Sequence, residues 1–100
     1  MRKRMLIAML FVTALAFPPA SMAQSPMEEN VERPGADYLN LVLEQGSPPR
    51  FCRDACQNDE RCHSWTYVRP SAGDPNPRCF LKSRVPEARP NPCCVSGVAR

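Results

Sequence analysis

The stretch that decides the fold reads Phe51-Cys52-Arg53-Asp54-Ala55-Cys56, then Cys62-His63-Ser64-Trp65-Thr66-Tyr67-Val68, and after a loop Cys79-Phe80-Leu81-Lys82. Cys52, Ala55 and Cys56 fall at i, i+3 and i+4, so on a helix they share one face. Phe51 lies at the edge of that face, and Arg53, Asp54, Gln57 and Asn58 take the wet side. Ser47 ahead of Pro48 and Pro49 predicts the helix start, with Ser47 as cap and Pro48 in the first turn. Asn58-Asp59 ends it. Residues 62–68 bring Trp, Thr, Tyr and Val together and predict a strand. Residues 79–82 predict a second, shorter one.

Working outward, residues 69–78 hold three Pro and one Gly and form a loop, and 84–92 form a Pro-rich connector. Residues 93–98 add a final strand with Gly97 as a bend. Upstream, Pro34-Gly35 marks a turn, and residues 38–43 (Tyr-Leu-Asn-Leu-Val-Leu) are rich in strand formers. Residues 24–34 are polar, acidic and aperiodic, which predicts a disordered leader. The order strand, helix, strand, strand, strand suits a small α+β domain over 35–100.

The first 23 residues follow a different grammar. Arg2, Lys3 and Arg4 precede an apolar run from Met5 to Phe17, and Ser21 and Ala23 are small residues three and one before a cleavage point. This is the order of a secretory signal peptide, 1–23, cut after Ala23. The run is short against the roughly 20 apolar residues a bilayer core requires. The expected location is periplasmic or secreted, with no membrane insertion of the mature chain.

Cutting there changes the charge. The whole chain carries 13 Lys and Arg against 10 Asp and Glu, but three cations lie in the signal and all ten acids lie after it. The mature chain is net neutral and lacks the basic excess that draws phosphate backbones, which argues against nucleic acid. All six cysteines also lie after Ala23. An even, dense set in a small exported chain implies a disulfide framework, since so short a chain buries little apolar surface.

The residues quoted at the outset resemble the PAN/Apple domain family. The resemblance runs from about Tyr38 to Lys82, through Cys52-x-x-x-Cys56, the aromatic strand after Cys62, and Cys79-Phe80-Leu81-Lys82. The closing Asn91-Pro92-Cys93-Cys94-Val95-Ser96-Gly97-Val98 looks like the tail of small bacterial members. The resemblance implies a curled antiparallel sheet cradling one α-helix, in a domain that binds proteins or carbohydrates without catalysis. It also implies that Cys52 pairs with Cys79 and Cys56 with Cys62. On loop entropy these links are worth about 3.6 and about 2.3 kcal/mol. Apple domains carry a further link between the termini, but no cysteine precedes Cys52 here. Cys93 and Cys94 are left to bond each other, to bond a second chain as a disulfide-linked dimer, or to enter another connectivity among fifteen.

Catalysis and metal find little footing. Cys52, Cys56, Cys62 and His63 imitate a zinc set, but the spacing lacks a second matched pair. His63, the single histidine, neighbours Cys62 on a predicted strand, where adjacent side chains point apart. No phosphate loop or nucleophile elbow is present, so neither an enzyme nor a cofactor is implied. The Cys93, Cys94 pair could serve thiol-redox chemistry, yet only Arg89 and Arg100 lie near it in sequence to supply the positive setting such pairs use.

Binding residues follow from alternation. With Cys62 and Cys79 turned to the helix, Ser64, Thr66 and Leu81 point the same way. His63, Trp65, Tyr67, Phe80 and Lys82 then share the outer face, as a ligand platform or beneath folded-over connectors. A bulge after Cys62 would instead put Trp65 under the helix. Arg61, Arg69 and Arg78 flank the loop with Lys82, as grips for an acidic partner or as ordinary surface charge. The candidate ligand-binding set is Trp65, Tyr67, Phe80, Lys82, Arg69 and Arg78, facing a protein or glycan.

Overall fold

The computed structural model describes residues 25–99; the segment 1–23 read as a signal peptide, with its cleavage site, lies outside the described residues. Strands β1 (Glu28–Glu32), β2 (Asp37–Val42), β3 (Ser64–Val68), β4 (Arg78–Lys82) and β5 (Arg89–Val98) accompany one helix, α1 (Pro49–Gln57). The strands form a single antiparallel sheet in the order β1-β5-β3-β4-β2, and α1 packs on β3 and β4. The fold is the α+β, disulfide-rich arrangement expected, with one strand more.

The extra strand corrects the reading of 24–34 as a disordered leader. Residues 28–32 carry no apolar periodicity, so nothing in their own pattern announces a strand. They are held instead by β5, whose Val95 and Ser96 lie opposite Glu29 and Glu28. Asn30 takes a positive φ of 58° at the register shift between Glu29 and Val31. That is the left-handed region that Asn tolerates better than most residues, and it lets the strand bulge.

β5 also begins earlier than expected, at Arg89. Its first residues, Arg89 and Pro90, pair only with β1, since β3 ends opposite Cys94. A proline can occupy a strand where one flank has no partner needing its missing N–H.

Helix α1 starts on Pro48, not on a Ser47 side-chain cap. Pro48 is the N-cap residue, with no side-chain capping bond. Ser47 is buried, and its carbonyl accepts a 2.6 Å hydrogen bond from the Tyr67 hydroxyl. The helix entry is therefore pinned to the sheet through Ser47's backbone.

The core lies between α1 and the sheet. Cys52 and Cys56 from the helix meet Trp65, Tyr67, Cys79, Leu81 and Val95 from the strands. The register explains the set: Trp65 lies opposite Leu81 and Gly97, and Tyr67 opposite Cys79 and Val95. Trp65 and Tyr67 are 1% and 5% exposed. This overturns the expectation that they share an outer face with Phe80 and Lys82. Cys62 lies in the turn before β3, its N–H bonded to the Asp59 carbonyl, so alternation counted from it is out by one. His63 is exposed at the strand's edge, its N–H bonded to Lys82 O.

Disulfides tie these layers together. Cys52 bonds Cys79 (Cα–Cα 5.4 Å) and Cys56 bonds Cys62 (Cα–Cα 5.2 Å). The first staples α1 to β4; the second closes the chain from α1 towards β3. Cys93 bonds Cys94 within β5, Cα–Cα 3.7 Å. No free thiol is left among the described residues, which include all six cysteines.

Candidate functional site

With the helix face filled by the core, the opposite face of the sheet carries two clefts. Its inner layer is polar. Thr66 and Ser96 hydroxyls lie 2.8 Å apart, Ser96 Oγ is 2.8 Å from Val31 O, and the Arg33 N–H reaches Thr66 Oγ1 at 3.4 Å. Ser96 must donate to the carbonyl, so Thr66 donates to Ser96 and accepts from Arg33. This relay fastens β1 and its following turn over β3 and β5. Ser64 donates to the carbonyl of Arg84 at 2.6 Å, which draws the chain after β4 over the same face.

Beside this covered strip a cleft of about 300 Å³ opens between residues 33–35 and the strands. Phe80 and Lys82 of β4, Thr66 and Val68 of β3, and Cys93 and Cys94 of β5 line it. A second hollow of about 430 Å³ adjoins it, bounded by Arg69, Asp74, Asn76, Arg78 and Pro92. Val68 and Cys93 border both.

The structure thus divides the sequence-predicted residues. Phe80 and Lys82 line the first cleft, and Arg69 and Arg78 the second. Trp65 and Tyr67 belong to the core. Arg61 lies elsewhere: it bonds the Asp59 carboxylate and stacks over the Tyr38 ring at 4.7 Å. Cys93, singled out in the sequence for disulfide and redox chemistry, borders both clefts, whereas Thr66, Val68 and Ser96 escaped the sequence reading. Their signal was the run of hydroxyls alternating with aromatics in β3, which marks a second, polar face once the parity is set from Trp65.

Electrostatics narrow what the clefts accept. Lys82 is 3% exposed; its ammonium is paired with Asp37, donates to Gly35 O at 3.2 Å and sits 5.9 Å from the Phe80 ring centre. Arg33 forks onto Glu28 at 3.0 and 2.8 Å, a hydrogen-bonded pair that raises its pKa. Arg69 reaches Glu29 at 2.9 Å and Asn30 at 3.2 Å. Arg78 bonds Asp74 at 3.0 Å and holds that carboxyl below its ordinary range. Every cation named at the clefts already has a carboxylate, so they are not an anion trap. Among the described residues, no cluster of three or more His, Cys, Asp or Glu could hold a metal ion.

The decisive comparison is with protein families: a PAN domain model matches residues 31–82, from the end of β1 through β4. The chain belongs to the PAN domain family. No curated protein and no solved structure matches it. PAN domains are generally noncatalytic modules that bind proteins or carbohydrates. In this PAN domain the matched stretch contains α1, both core disulfides, Phe80 and Lys82, while β5 with Cys93 and Cys94 lies beyond it. Among the described residues no helix is long and apolar enough to cross a membrane.

Proposed function

We propose that the chain is an exported, noncatalytic PAN module that holds a protein or carbohydrate ligand in the paired clefts on the helix-free face. One observation carries this reading. The helix face is closed by its own core, whereas the opposite face leaves an aromatic edge, Phe80, beside the Thr66 hydroxyl and backbone groups in a hollow whose cations, Arg33 and Lys82, are already paired with carboxylates. Such a surface suits a neutral polar ligand, which offers an apolar patch for stacking and hydroxyls or amides for hydrogen bonding. Export is supported by the signal-like sequence of 1–23 and by three disulfides, which persist in oxidising compartments.

A glycan array and a peptide array, each probed with wild type and Phe80→Ala, test the site. The expected result is a ligand class bound by wild type and lost in the variant. Binding that survives Phe80→Ala unchanged rules the cleft out. Intact mass of the protein recovered from periplasm or medium tests export, with a chain beginning at Gln24 expected.

A further inference from the structure

The three disulfides do not share one role. The Cys52–Cys79 and Cys56–Cys62 links enclose 27 and 6 positions of sequence separation, and all four of their cysteines are 5% exposed or less. The Cys93–Cys94 link joins neighbours. It encloses no intervening chain, so it restricts the unfolded ensemble least of the three. It lies outside the core cluster, and Cys93 is half-buried at the border of both clefts while Cys94 is 2% exposed.

Arg69, distant in sequence, donates its backbone N–H to Cys93 O at 2.9 Å and its guanidinium to Cys94 O at 3.4 Å. Both bonds go to main-chain carbonyls, so one residue across the sheet fixes the backbone of the cysteine pair. The same side chain reaches Glu29 and Asn30 of β1, so Arg69 links the cysteine pair to the sheet edge at the second hollow. Successive side chains on a strand point to opposite faces, and the bond between Cys93 and Cys94 holds two neighbours against that alternation.

From these relations we infer that Cys93–Cys94 is a selectively reducible disulfide that sets the shape of the binding face while the core links stay closed. The reductant is a dithiol. Its thiolate attacks Sγ of Cys93, the less buried residue of the pair, breaking the Cys93–Cys94 bond and forming a mixed disulfide. Cys94 leaves as a thiolate and takes up a proton. The donor's second thiol then attacks its own sulfur in the mixed disulfide, frees Cys93 as a thiol and departs as the oxidised disulfide. The protein gains two electrons and two protons, and the donor loses the same. With the tie gone, Cys93 turns by the normal alternation of β5, and the carbonyls that Arg69 holds shift with it.

The test needs no ligand, so it fails or succeeds apart from the binding function. Purified native protein is titrated with dithiothreitol, quenched by alkylation and mapped by mass spectrometry. Near-UV circular dichroism reports the packing of Trp65, and amide NMR reports Arg69 and Thr66. The expected result is alkyl groups on Cys93 and Cys94 at a dithiol concentration about tenfold or more below that which labels the other four. The Trp65 signal persists and the Arg69 amide moves. Simultaneous labelling of all six, earlier labelling of the core four, or an Arg69 amide unmoved by reduction each overturns the inference.

Discussion

Gly97 and Trp65 face each other across β5 and β3, and the indole leaves room at Gly97 for hydrogen alone: a Cβ built there would lie 2.6 Å from the ring. The residue read from sequence as a bend is thus the floor on which the core tryptophan rests. Gly97→Ala forces the ring or the strand aside, and overpacking of this kind costs about 1–3 kcal/mol. Urea unfolding followed by Trp fluorescence should show the midpoint fall with little change in slope. An unchanged midpoint would mean that the ring does not press on β5.

Paired replacement of cysteines should rank the links. Removing Cys52 and Cys79 together is expected to cost about 3.6 kcal/mol, and Cys56 with Cys62 about 2.3 kcal/mol, from loop entropy alone. Replacing Cys93 and Cys94 by Ser should cost least. Denaturant midpoints of the three double variants check the order.

Tyr38, Asp59 and Arg61 give stability a pH signature at each end. Arg61 bonds, with the Tyr38 hydroxyl at 2.7 Å, hold the Asp59 carboxyl well below the usual carboxylate range. A depressed carboxyl contributes stability that is present above its unfolded pKa of about 4 and is lost as pH falls from there through the folded value. Burial, then the bond to Asp59, pushes Tyr38 up to about 12. A raised phenol contributes stability present below about pH 10, and that contribution is lost as pH rises towards the folded value. Asp59→Asn should shrink the acid limb and Tyr38→Phe the alkaline limb of a melting-temperature profile, with the depressed Asp74 and the raised Tyr67 contributing to what remains.

Ser96→Ala cuts the hydroxyl relay and strands the Val31 carbonyl and the Thr66 hydroxyl. An unsatisfied buried polar group costs about 1–3 kcal/mol. The loss should fall on β1, so hydrogen exchange is expected to accelerate at residues 28–32 before it does in β3. Uniform acceleration would place Ser96 in the global core instead.

Much of the helix-facing half of this molecule was legible because its signals are local. Cys52, Ala55 and Cys56 mark one helical face, and the β-branched and aromatic residues mark β3. What was not legible depends on partners far along the chain. β1 has no apolar pattern and exists through β5 and Ser96. β5 runs through Pro90 and Pro92 because β3 has already ended. The single turn residue His63 between Cys62 and Ser64 inverted the assignment of faces, which moved Trp65 and Tyr67 into the core and left Phe80 and Lys82 outside. Arg69 and Arg78 were visible as charges, but their carboxylate partners and their common hollow are products of the fold.

The measurement that bears most directly on the proposed binding face is amide chemical-shift mapping of the labelled domain with the glycan or peptide that the arrays identify. The account predicts shifts concentrated at Val68, Phe80, Lys82 and Cys93, with α1 unmoved. Shifts concentrated on the exposed side of α1, around Phe51, with the clefts silent would contradict it.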